Sequence, residues 1–256
     1  TNRGGKASHT SIIARTLEIP AVLGLENATE VIENDDIIIV DGNKGVVIVD
    51  PDEETLFRYE ELSKQYEAQK ADAIRTSYQP AISFDGLRLG IMGNIEQPEE
   101  IVAVRDHGGD GVGLFRTEFL YLNRSQYPPE DELFEQYKEV VELMAPKPVT
   151  IRTLDINGDK EISAVPTPDE ANPALGLRAI RFCLKKTDVF KTQLRAILRA
   201  AVHGYVRLLL PMISSCEEVR ETLDLLNQAA EELSREGYAF NRDIEIGVMI
   251  EVPSSA

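Results

Sequence analysis

The sequence predicts an α/β protein in which a small β-rich segment, a long polar helix and an alternating strand–helix region follow one another. Three observations carry this. The β-branched runs Ile37-Ile38-Ile39-Val40 and Val46-Val47-Ile48-Val49 flank Asp41-Gly42-Asn43-Lys44-Gly45, the pattern of a β-hairpin. Pro51 and the acidic Asp52-Glu53-Glu54 then open a polar helical run reaching about Arg75. Beyond Gln79-Pro80, short apolar strands alternate with amphipathic helices, as βα units on a parallel sheet do. The boundaries that follow are 1–50, 51–79 and 80–256.

Taken in order, Ser8 is a natural N-cap for a helix with Ile12, Ile13 and Leu17 on its apolar face. Pro20 ends that helix, and the segment Ile19 to Leu25 reads as a short buried strand. In the long helix Leu56, Tyr59, Leu62 and Tyr66 form one stripe. Glu54/Arg58 and Glu60/Lys64 are i,i+4 pairs supporting a solvated face, so the segment reads as a spacer. Five strands follow: Leu87–Ile95, Gly111–Arg116, Val149–Leu154, Val206–Met212 and Ile244–Val252. Between them the helical spans are Pro98–His107, Glu130–Met144, Pro173–Leu184, Val189–Val202 and Cys216–Glu236. Five strands cannot close an eight-stranded barrel, so the expectation is a partial (β/α)8 sheet of TIM type with an exposed edge.

Composition narrows the function. The 27 Lys and Arg against 44 Asp and Glu leave a net charge of −17, which opposes general binding to nucleic acid or anionic membrane. An anionic ligand requires arginines gathered locally. Cys183 and Cys216 have no metal-ligand spacing and are too few for a disulfide framework, which points to a reducing cytoplasm. No signal peptide or membrane-spanning apolar run is present, and both termini read as cut from a longer chain.

Two sets of residues carry chemistry. In Arg3-Gly4-Gly5-Lys6-Ala7-Ser8-His9-Thr10, His9 falls in the first turn of a helix behind a glycine turn, where unpaired N–H groups and the helix dipole favour negative charge. This suits a phosphoryl group on the imidazole; the plainer reading is a histidine at a helix start. The second set lies at strand ends, where a (β/α) barrel builds its active site. Asn94 and Glu96 follow the first strand, Arg116 and Glu118 the second, Arg152 and Asp155 the third, and Glu251 the fifth. Arg178 and Arg181 come from the segment after the third strand. Converging guanidinium forks suit a small ligand carrying phosphate and carboxylate, and Glu251 suits a hard divalent cation. Singly, each arginine reads first as a loop-stabilising ion pair; their joint placement favours a ligand site. Cys216 at a helix start, Cys183 on a helix, and His107 and His203 before glycines at helix ends read as structural.

These motifs resemble enzyme I of the bacterial phosphotransferase system, the phosphoenolpyruvate-protein phosphotransferases, across essentially the whole chain. The resemblance rests on Gly4 to Thr10, Gly113 to Tyr121, Ile151 to Lys160, Asn172 to Arg181 and Gly247 to Pro253. It implies that 1–50 is the end of a swivelling phosphohistidine domain, 51–79 a linker helix and 80–256 the first part of a phosphoenolpyruvate-binding barrel. It implies further that His9 accepts the phosphoryl group, Arg116, Arg152 and Arg178 hold phosphoenolpyruvate, and Glu251 is one of two Mg2+ ligands. The phosphoryl group would pass to the carrier protein HPr, and the intact parent would be a homodimer. Lys6 and Ala7 replace the family's usual arginine and threonine, and Asn157 a common glycine. The resemblance also implies an HPr-binding helical domain before Thr1. Beyond Ala256 it implies the later strands, with the second metal ligand and a proton-donating cysteine that neither Cys183 nor Cys216 matches. Pyruvate phosphate dikinase and phosphoenolpyruvate synthase share the histidine motif and barrel, but look less similar around Arg152 to Asp155 and Asp159-Lys160. A truncated, non-enzymatic binding or dimerisation module is a third reading.

Overall fold

The computed structural model describes Ala14 and residues 19–122, 124–156 and 176–256. The chain divides into two compact units, Thr1–Thr76 and Ser77–Ala256.

In the first unit Ala14 is helical, and its carbonyl accepts the Ile19 N–H at 2.8 Å. The segment 19–25 is irregular rather than a strand. No strand pairs with it among the described residues, and Gly24, at φ 74°, breaks an extended run. A short helix, α1 (Ala28–Val31), leads to β1 (Ile38–Asp41) and β2 (Val46–Val49). These two are antiparallel, in register from Ile38 opposite Val49 to Asp41 opposite Val46. Asp41 closes the hairpin by accepting the Asn43 and Lys44 N–H groups at 3.1 and 3.0 Å. Helix α2 (Glu53–Ser77) runs 25 residues with none buried, as its polar composition requires. Asp52 caps it by accepting the Thr55 N–H at 2.8 Å. Lys64 reaches Glu61 at 2.7 Å, three residues away, rather than the expected Glu60.

The second unit opens with a two-residue hairpin, β3 (Ala81–Ile82) with β4 (Arg88–Leu89), folded about Ser83 to Gly86. The single strand expected over 87–95 is therefore two. The hairpin takes its first part, and the parallel strand β5 spans only Met92–Ile95. Then come α3 (Ile101–Asp106), entered by a 3-10 turn at Pro98–Glu100, β6 (Gly111–Phe115) and α4 (Glu130–Met144). The remainder is β7 (Val149–Arg152), α5 (Ala179–Lys185), α6 (Thr187–Ala200), β8 (Val206–Leu210), α7 (Cys216–Glu236) and β9 (Glu245–Val248).

The five strands β5 to β9 pair in sequence order and all in parallel, the arrangement of four consecutive βα units and a fifth strand of a (β/α)8 barrel. The inner strands are buried: Val112, Phe115, Val149 and Ile151 are wholly enclosed, and Leu208 and Leu210 nearly so. The outer strands are more open: Met92 and Ile246 are exposed, as an open five-stranded sheet demands, although Ile95 at the end of β5 is enclosed.

Helix packing follows from periodicity. Helix α4 turns Leu133, Tyr137, Val140, Val141 and Met144 inward. There the Tyr137 ring meets Phe115 edge-on with centroids 6.1 Å apart. Helix α6 is also buried at Arg195 and Arg199. Arg199 pairs with Glu130 at 2.6 Å and Asp131 at 2.8 Å, and its guanidinium lies 4.2 Å from the Phe134 ring and 4.4 Å from the Tyr238 ring. Helix α7 begins with a reciprocal capping box between Ser215 and Glu218 and ends at Gly237 in a left-handed conformation, φ 78°.

Candidate functional site

Parallel pairing brings the charged residues to one end of the sheet. Ile95 lies opposite Phe115, and Phe115 opposite Ile151, so Glu96, Arg116 and Arg152 leave three adjacent strands at one level. Arg116 donates to Glu96 at 2.6 Å, with both side chains nearly half exposed. Arg152 is more enclosed. It donates to Glu118 at 2.8 Å and sits 3.4 Å from Asp155, whose other oxygen receives Arg178 through Nη2 at 2.8 Å and Nε at 3.1 Å. Glu118 also accepts the Asp155 N–H at 3.2 Å. Glu118, Arg152, Asp155 and Arg178 therefore form one connected cluster.

The fourth and fifth strands close the same end from the other side. The Glu251 Oε1 atom accepts the Met212 N–H at 2.7 Å. Met212 and Ala179 both adopt positive φ, 56° and 49°, a conformation costing a non-glycine residue about 1–3 kcal/mol. Both are buried and pack together with Val252. That small cluster ties the residue after Arg178 to the residue after Glu251, so two strained backbone positions help position both charged side chains. Arg181 lies 3.9 Å from Glu218, which in turn holds the Ser214 N–H at 2.6 Å.

Each arginine is thus charge-compensated, as the ion-pair reading expects, yet the pairs are gathered rather than scattered. The Arg152 Nε is buried with no partner among the described residues, a desolvated donor left unsatisfied. Glu251 is exposed, and one of its oxygens is held by a backbone N–H. It suits a hard cation as a single oxygen donor. Among the described residues no group of three acidic, histidine or cysteine side chains is placed to hold a metal ion.

His9, Lys6, Ala7, Asn157, Asp159, Lys160 and the start of the Asn172–Arg178 segment lie outside the described residues. Of the residues set aside as structural, Cys183, His107 and His203 make local contacts, and Cys216 is exposed. Cys183 is buried, and burial pushes its thiol pKa up. The ring of His107 contacts the Ala103 carbonyl at 2.7 Å, and His203 lies 2.9 Å from Glu142. Sequence reasoning missed Gln193, Thr117 and the strained Met212 and Ala179. Gln193 had a signal: it occupies an inward position of the apolar period Val189, Phe190, Leu194, Ile197.

The comparisons bear directly on this end of the sheet. Residues 70–256 match the family described as PEP-utilising enzyme, PEP-binding domain, and residues 1–45 the PEP-utilising enzyme mobile domain. The chain belongs to the PEP-utilising enzymes. All of it aligns with enzymes named phosphoenolpyruvate-protein phosphotransferase. Identity is 47% with that of Bacillus subtilis (strain 168), 46% with that of Geobacillus stearothermophilus and 44% with that of Staphylococcus aureus. The chain spans 44–45% of the length of these relatives. The resemblance drawn from the five motifs, and the α/β class with a partial PEP-binding barrel, are borne out. In this family the cluster at the strand ends falls within the matched PEP-binding domain. No described helix is long and apolar enough to cross a membrane.

Proposed function

We propose that the chain carries the phosphoenolpyruvate site and the phosphoryl-accepting histidine of a phosphoenolpyruvate-protein phosphotransferase, acting in the cytoplasm as the first step of sugar uptake by the phosphotransferase system. The observation that carries this is the placing of Arg116 and Arg152 at adjoining strand ends, with Arg178 joined to Arg152 through Asp155, in a chain of charge −17. On this reading residues 1–50 end the swivelling domain, 51–79 form the linker and 80–256 the phosphoenolpyruvate-binding barrel.

Arg116, Arg152 and Arg178 hold the phosphate and carboxylate through their forked donors, loosening their bonds to Glu96, Glu118 and Asp155 as the ligand enters. The imidazole nitrogen of His9 attacks phosphorus in line. A nitrogen–phosphorus bond forms as the bond from phosphorus to the enol oxygen breaks, and the electron pair leaves with enolpyruvate. The arginines spread the charge of the phosphoryl group in flight. Glu251 would hold Mg2+, which neutralises phosphate charge when bound. His9 then delivers the phosphoryl group to a histidine of HPr, which requires it to visit two places and suits a separate mobile domain. Homodimer formation belongs to the same reading.

Incubating the protein with labelled phosphoenolpyruvate and Mg2+, followed by acid or base, tests this. An acid-labile, base-stable label absent from His9→Ala supports the reading. A label that survives in His9→Ala defeats it.

A further inference from the structure

Behind the strand-end arginines lies one buried amide that touches both of their loops. Gln193 on α6 is 1% exposed. Its Oε1 accepts the Leu154 N–H at 3.0 Å, while its Nε2 donates to Thr117 Oγ1 and to the Tyr137 hydroxyl, each at 3.1 Å. The orientation of the amide is fixed by chemistry. A backbone N–H only donates, so the amide oxygen must face Leu154 and its nitrogen the two hydroxyls. Thr117 Oγ1, already accepting, spends its own hydrogen on the Arg152 carbonyl at 3.0 Å.

The result is a directed relay from Gln193 through Thr117 to the Arg152 carbonyl, with a second arm from Gln193 to the Leu154 amide. Thr117 is flanked by Arg116 and Glu118. Leu154 lies next to Asp155 and two residues past Arg152. Thr117 and Gln193 are both almost wholly enclosed, so water offers no competing partner, and each bond lost leaves an orphaned buried group. We propose that Gln193 is a positioning residue that, through Thr117 and Leu154, sets the spacing of Arg116 and Arg152 so that both reach one small anionic ligand. The choice of phosphoenolpyruvate as that ligand rests on the function proposed above; the positioning itself does not.

The test uses Gln193→Met, which keeps the length of the side chain without its hydrogen bonds, and the pair Thr117→Val and Thr117→Ser. Valine matches threonine in shape without the hydroxyl, and serine restores the hydroxyl. Without ligand, Gln193→Met should speed hydrogen exchange of the Leu154 amide at least tenfold. Gln193→Met and Thr117→Val should move the Arg152 Nε–H resonance, whereas Thr117→Ser should leave it in place. With phosphoenolpyruvate, Gln193→Met and Thr117→Val should weaken binding about tenfold and Thr117→Ser should restore it, a rescue that loss of stability alone does not produce. Folded variants whose arginine resonance and Leu154 exchange match wild type overturn the proposal, as does equal binding by Thr117→Val and Thr117→Ser where the wild-type protein binds phosphoenolpyruvate. If the resonance and the exchange rate move as stated while the wild-type protein takes up no phosphoenolpyruvate, the positioning role stands and the assigned ligand falls.

Discussion

Replacing Arg152 by methionine separates what this arginine does for the fold from what it does for a ligand. Its side chain is only 12% exposed and faces Glu118 and Asp155, themselves 18% and 8% exposed. Removing one member of a buried ion pair costs about 3–5 kcal/mol when the partner is left bare. Here the loss is smaller, because Asp155 keeps Arg178 at 2.8 Å and Glu118 keeps the Asp155 N–H at 3.2 Å. We expect Arg152→Met to destabilise by about 2–3 kcal/mol in urea denaturation. Losing charge-assisted bonds worth about 1.5–3 kcal/mol should weaken phosphoenolpyruvate binding by about tenfold to a hundredfold in titration calorimetry. Adding Glu118→Gln removes the uncompensated carboxylate, so the double variant should recover stability but not affinity. Recovered affinity in the double variant would refute a ligand-holding role for Arg152. A destabilisation under about 0.5 kcal/mol in the single variant would refute the enclosed ion-pair account.

Three further outcomes are expected. In the native protein one of the two thiols should react with a water-soluble disulfide reagent; Cys216→Ser should abolish that reaction, because Cys183 is buried and burial raises its pKa. Gly237→Ala should cost about 1 kcal/mol in chemical denaturation from backbone conformation alone, since nothing lies within 4 Å of the added methyl and φ is +78°. The hydrogen bond from Arg195 holds the Glu236 carboxyl below the usual glutamate range. Its stabilisation is therefore present above that range and is lost as pH falls through the lowered folded-state value, so Glu236→Gln should flatten the acid limb of the stability–pH curve.

The elements with strong periodicity were legible in the sequence. Helices α4 and α7 begin and end where the sequence places them, at Glu130–Met144 and Cys216–Glu236, because local chemistry decides both. The misread segments lacked that local control. Residues 87–95 are apolar enough for one strand, but the turn at Ser83 to Gly86, with Ser83 bonded to Asp85 and Leu87, folds their first part back. Residues 19–25 look like a strand until pairing is considered. The strand-end arginines were visible as a pattern. Which acid each one meets was not, since Arg178 reaches Asp155 across 23 residues of chain and Arg152 reaches Glu118 across 34. Gln193 was hidden for the same reason: its partners Thr117 and Tyr137 lie 76 and 56 residues away.

Whether Arg116, Arg152 and Arg178 form a phosphoenolpyruvate site can be decided by titrating phosphoenolpyruvate with Mg2+ into the protein and into the single variants of these three arginines to methionine. Saturable binding that each variant weakens at least tenfold is expected. Binding indifferent to all three substitutions, or no saturable binding by the wild-type protein, would contradict it.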